Sequence, residues 1–173
     1  MTEEDPTGGF GFKRLTVENW QTPDPIWQFF AHPIGEPART WVQDVISHDL
    51  MPTVPLAVRR LFEVARGSLV YGWFFYPLLT VGTEQLFRVL EAAISHKCDV
   101  LNSPKKSKTF DEKVKWLHKV GQFSNTQHYR WDNARQLRNH TSHPKDQMIF
   151  DPNGAMEVLC MSVTLIDDLF RQN

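Results

Sequence analysis

Seven consecutive residues, Arg138-Asn139-His140-Thr141-Ser142-His143-Pro144, set a cation, an amide, two hydroxyls and two imidazoles side by side late in the chain. The guanidinium of Arg138 is a permanently charged planar fork that matches two oxygens of a phosphate group. His143 carries the one ring type whose unperturbed pKa permits proton transfer near neutrality. Such a pair can grip a phosphate and move a proton. On a regular helix, residues five apart are rotated by about 140° and do not converge on one ligand. Pro144 supplies the break: it pushes His143 out of the α region and removes a backbone donor. The helix carrying Arg138 should therefore end by about His140, and an imidazole on the exit turn can fold back beside the guanidinium. The same residues also have a purely structural use, with Arg138 bonding helix-end carbonyls and His143 capping the turn.

Other residues could serve such a site. Arg135 and His140 repeat the spacing of Arg138 and His143 one turn earlier. Lys105, Lys106 and Lys108 form a basic loop that either contacts a nucleic-acid backbone or is simply solvated. Glu84, Arg88 and Glu91 are spaced for ion pairs within one helix; in the functional alternative, Glu84 or Arg88 lines the groove and orients Arg138. His140 and His143, with His128 or Asp132, offer metal-ligating atoms but not the four-ligand spacing of a known site. The sequence has no glycine-rich phosphate loop, nucleophile elbow, zincin motif or paired-cysteine site. Neither a cofactor nor a metal is expected.

The elements that must position these groups are helical. Thr53 is a candidate N-cap for a first long helix with Pro55 in its first turn and a stripe of Val58, Leu61, Phe62, Ala65 and Leu69. This helix should end near Tyr71-Gly72-Trp73-Phe74. A second, Leu78 to His96, places Leu79, Leu86, Leu90 and Ala93 on one face. Thr109-Phe110-Asp111-Glu112 matches a capping box that opens a third, with Phe110, Val114, Leu117 and Val120 recurring until Gly121. A fourth, about Thr126 to Asn139, presents Tyr129 or Arg130, Trp131, Ala134 and Leu137. Asp151-Pro152 caps the last, whose stripe is Met156, Leu159, Val163, Ile166 and Phe170. Only Met148-Ile149-Phe150 hints at a strand. The expected architecture is all-α, a helical bundle of four to five main helices. Residues 1–52 are a proline- and aromatic-rich N-terminal extension with a short helix around Ala38 to Ser47; residues 53–173 form the bundle. Trp20, Trp27, Phe29, Phe30 and Trp41 should anchor that extension on the bundle.

A chain of 173 residues with a net charge of −1 is sized for one core and carries no global electrostatic footprint for nucleic acid, so any such site must be local. The apolar stretch from Ser68 to Val81 is interrupted by Gly72 and Pro77 and is too short to span a membrane. Cys98 and Cys160 make neither a metal spacing nor a disulfide framework, and no charged-then-apolar leader precedes Trp20. A reducing cytoplasm is the expected setting.

An arginine, a polar residue, a short spacer and a histidine, set late in a small helical domain, resemble the signature of the HEPN superfamily, Arg followed after four to six residues by His. Arg138 and His143 fit it with four between them, and Asn139 follows the arginine as that family favours. The segment from Leu56 to Ile94, with Gly72 and aromatic residues at its turn, resembles the opening helical hairpin of HEPN domains. The resemblance covers about Thr53 to the C-terminus. It implies metal-independent RNA cleavage: His143 assists or orients the ribose 2′-hydroxyl, Arg138 stabilises charge on the phosphate, and Asn139 helps to position the backbone. It also implies a second copy of the chain, because many members build a composite site across a two-fold axis, and a setting in phage defence or stress response. Some toxin members carry a tyrosine two residues after the histidine, where this chain has Lys145, and other members have lost catalysis. The alternative from another class is a non-catalytic helical module that binds RNA, a nucleotide or a protein partner.

Overall fold

Apolar residues every three or four positions from Leu79 to Ile94 form a helix buried on several sides, and the rest of the chain packs around it. The computed structural model describes residues 11–30, 37–104, 107–141 and 149–171. A short 3-10 helix, Pro25–Phe29, precedes α1 (Pro37–Ser47), α2 (Leu56–Tyr71), α3 (Leu78–Val100), α4 (Phe110–Lys119), α5 (Asn125–Thr141) and α6 (Pro152–Phe170). The architecture is an all-helical bundle with no strand among the described residues, Ile149 and Phe150 included. None of these helices is long and apolar enough to cross a membrane. The central α3 touches α2, α4, α5 and α6.

The α2–α3 hairpin is tight for a local reason. A Cβ at Gly82 would stand 2.8 Å from the Leu69 side chain and 3.1 Å from the Ala65 carbonyl oxygen, so only glycine permits the helices to approach this closely. The N-terminal extension completes the turn. Asp24 accepts hydrogen bonds from the backbone N–H groups of Lys13, Ile26 and Tyr76. The indole N–H groups of Trp41 and Trp27 donate to the carbonyls of Leu69 and Gly72 at 2.9 and 3.1 Å. Carbonyls at a helix C-terminus lack a full set of partners within the helix, and these indoles supplement it; the Leu69 carbonyl also accepts from the Gly72 N–H at 3.2 Å. Trp27 also packs against Trp41 and Trp73, with ring centroids 5.0 and 4.8 Å apart. Trp20 and Phe29 remain exposed, so only part of the expected aromatic anchor is used.

Three helices, α4, α5 and α6, open on side-chain caps, whereas α2 and α3 open after Pro55 and Pro77 without one. The capping box of Thr109 and Glu112 is formed. Gly121, at φ +77°, ends α4 with Gln122 N–H donating to the Leu117 carbonyl, a Schellman closure. Asp151 caps α6 through the Gly154 N–H at 2.7 Å. Ser124 and Gln127 bond each other's backbone N–H to open α5, a box the sequence reading passed over. Thr53 is not the cap of α2. That helix starts at Leu56 after Pro55, whose restricted φ already suits a helix start and whose carbonyl receives the first N–H groups.

The apolar stripes need corrections. Leu61, Val120, Tyr129 and Leu137 are exposed, and α6 buries Ala155, Val158, Leu159, Ser162, Leu165, Ile166 and Leu169; Met156, Val163 and Phe170 sit at its margin. The buried face of α6 thus mixes the small Ala155 and Ser162 with Val158, Leu159, Leu165, Ile166 and Leu169. α3 runs on past His96 to Val100, and α5 to Thr141.

Candidate functional site

Glu84, Arg88 and Glu91 lie at i, i+4 and i+7 and so share one face of α3. Arg138 comes from the last turn of α5, where a cation also complements the helix C-terminus. Between the two helices is a cleft of about 280 Å³ lined by Glu84, Phe87, Arg88 and Arg138. Phe87 is buried and forms an apolar wall. The Arg138 guanidinium reaches across to Glu91, with Nη2 3.4 Å from Oε2, and Nη1 donates to the Asn139 side-chain oxygen at 3.3 Å.

This geometry alters one sequence expectation. Glu84 and Arg88 do not pair with each other among the described residues, and Glu91 turns to α5 instead of to Arg88. The i,i+3 order of Arg88 before Glu91 is the weaker polarity for an intrahelical pair, and a guanidinium arriving from a neighbouring helix displaces it. Glu84 and Arg88 line this cleft, and the Glu91 carboxylate pairs with Arg138 across the two helices. Its place on the α3 face was legible, but its partner, 47 residues away, was not. Glu91 and Arg138 are each more than a third exposed, 36% and 41%, so their pair contributes on the order of 0–1 kcal/mol and acts chiefly by positioning.

Arg135 faces different partners. It pairs with Asp132 at 2.8 Å and with Asp111 of α4 at 3.4 Å, bracing α5 against α4. Burial works against the Asp132 carboxylate, but hydrogen bonds from Arg135 and Gln136 outweigh it and hold the group below the usual range. His128 stacks on His118 with ring centroids 4.4 Å apart. No cluster of three or more metal-ligating side chains occurs among the described residues. Lys108 is exposed, its backbone N–H bonded to Glu112, and no hydrogen bond or ion pair joins it to the cleft. His143, Pro144, Lys145, Lys105 and Lys106 lie outside the described residues, as does the side chain of His140.

The arrangement can hold an anionic group between two guanidinium-bearing side chains, with Arg138 pre-oriented by Glu91 and an apolar wall at one side. Comparison of the chain with protein-family models, with curated proteins and with solved structures returned no match.

Proposed function

We propose that the chain is a HEPN-like endoribonuclease that acts without a metal at the cleft between α3 and the end of α5. The observation that carries the reading is the crossing of Arg138 to Glu91 beside Arg88. Arg138 lies in the last turn of α5, five residues before His143 in the sequence. On this reading the phosphodiester lies against Arg138 and Arg88. His143 takes or orients the proton of the 2′-hydroxyl, which attacks phosphorus in line, and Arg138 stabilises the charge that develops on the phosphate. The products are a 2′,3′-cyclic phosphate and a 5′-hydroxyl. RNA is then the partner and a second copy of the chain completes the site. The cytoplasm is the setting, and phage defence or stress response is the context.

The test is cleavage of single-stranded RNA in EDTA, with DNA and 2′-deoxy-substituted RNA spared. His143→Ala should lower the rate roughly 10²- to 10⁴-fold and Arg138→Ala comparably. Failure to cut structured, transfer and messenger RNAs would exclude the nuclease. A second reading, a non-catalytic RNA-binding or nucleotide-binding module, is favoured by the balance of Glu84 and Glu91 against Arg88 and Arg138 in and beside the cleft. It expects binding without cleavage, lost in Arg138→Ala.

A further inference from the structure

α6 brings Cys160 against His48, the residue after α1, with Sγ 3.0 Å from Nε2. The other ring nitrogen, Nδ1, is 2.8 Å from the Asp44 carbonyl oxygen. A carbonyl only accepts, so Nδ1 bears the proton and Nε2 turns its lone pair to the thiol. Ser47 Oγ, 3.3 Å from Nδ1, fits the same state because its own hydrogen goes to the Asp44 carbonyl at 2.7 Å. The set therefore has the parts of an activated nucleophile: a thiol, a base within hydrogen-bond reach, and a third group that fixes the tautomer of the base.

The surroundings decide what such a thiol can do. Cys160 is exposed in mid-helix, eight residues after the first residue of α6. Backbone N–H groups there are spent on helical hydrogen bonds, so a tetrahedral oxyanion formed at this sulfur would lack backbone donors. Acyl transfer is thus disfavoured, whereas attack on a disulfide develops no oxyanion. The charged groups nearby are mixed. Arg66 of α2 donates to the carbonyls of His48 and Ile46 and pairs with Asp49 and Glu63. Asp44 lies on α1, and Glu157 and Asp167 lie one turn before and two turns after Cys160 on α6. The other cysteine, Cys98, is fully buried on α3, and burial pushes its thiol up.

We propose that Cys160 and His48 form a reactive-thiol site that exchanges with low-mass disulfides to give a reversible mixed disulfide. The Cys160 proton passes to His48 Nε2, and the thiolate sulfur forms a bond to one sulfur of R–S–S–R. The original S–S bond breaks, and the leaving R–S⁻ takes the proton from the imidazolium. In net form, Cys160–SH and R–S–S–R become Cys160–S–S–R and R–SH; Cys160 is oxidised and the departing sulfur reduced. Excess thiol reverses the step. Solvent exposure of Cys160 admits a small diffusible reactant, and His48 is a catalytic residue of this exchange because it touches the reacting sulfur.

The experiment follows adduct formation on the full chain with 2-hydroxyethyl disulfide by mass spectrometry, across neutral to alkaline pH. Wild type should gain one adduct, on Cys160 and not on Cys98, and should react several-fold faster at neutral pH than cysteine in an unstructured peptide. His48→Gln should react about tenfold more slowly than wild type at pH ~7, because the variant lacks the base that takes the thiol proton. Equal rates for wild type and the peptide would overturn the proposal whether or not the variant folds. So would a folded His48→Gln that reacts like wild type, or labelling of Cys98 ahead of Cys160.

Discussion

Arg138 Nη2 lies 3.4 Å from Glu91 Oε2, and this pair ties the last turn of α5 to the middle of α3 beside the cleft that Arg88 and Glu84 line. Because both side chains are partly exposed, the pair adds little to stability but restricts where the guanidinium can point. Glu91→Gln should therefore shift the urea midpoint by no more than about 1 kcal/mol equivalent. On the nuclease reading it should slow RNA cleavage roughly ten- to a hundredfold through misplacement of Arg138. Cleavage unchanged in the variant would separate Glu91 from the site.

Gly82→Ala tests the close approach of α2 and α3. Alanine is the better helix former by about 1 kcal/mol, yet its Cβ would meet the Leu69 side chain at 2.8 Å and the Ala65 backbone oxygen at 3.1 Å. Overpacking of this kind costs about 1–3 kcal/mol, so a net loss of up to about 2 kcal/mol in chemical denaturation is expected. A stabilised variant would show that the hairpin can open without cost.

Trp41→Phe removes the indole N–H that donates to the Leu69 carbonyl, leaving that oxygen the Gly72 N–H at 3.2 Å, and removes part of a buried ring. The lost hydrogen bond and the reduced contact with Trp27 should together cost about 1–3 kcal/mol. Loss of near-ultraviolet dichroism from the Trp27, Trp41 and Trp73 cluster should accompany it. An unchanged melting temperature would mean that the Trp41 indole contributes nothing to the bundle's stability.

Tyr76 is pushed from 10.0 up to about 12 by burial first, and then by the negative charges of Asp151 and Asp24. Its folded pKa is raised, so the stability it contributes is fully present below the unfolded value near 10 and is lost as pH rises from there to about 12. Ultraviolet titration should show one tyrosinate forming late that Tyr76→Phe abolishes. Alkaline unfolding of that variant should lose the corresponding pH dependence. A Tyr76 that ionises near 10 would place its hydroxyl in contact with water.

Much of this molecule was written in local sequence. The capping box at Thr109, the Asp151-Pro152 start and the glycine stop at Gly121 act through residues a few positions apart, so the helices they bound could be read directly. The helical class followed from apolar spacing for the same reason. What local pattern could not carry was facing. Whether Glu91 would pair along α3 or across to Arg138, and whether Arg135 or Arg138 would meet the cleft, depended on how α5 is rotated against α3 and α4. The buried face of α6 takes in Ala155, Val158, Ser162, Leu165 and Leu169 beside Leu159 and Ile166, with Met156, Val163 and Phe170 at its margin, because the rotation of the helix against its neighbours sets which face turns inward. Cys160 and His48, 112 residues apart, form a pair only in the folded chain. Sequence determined which helices form, since capping and periodicity are local; the tertiary structure alone decided which side chains meet, since that depends on the relative rotation and distance of helices that no single segment encodes.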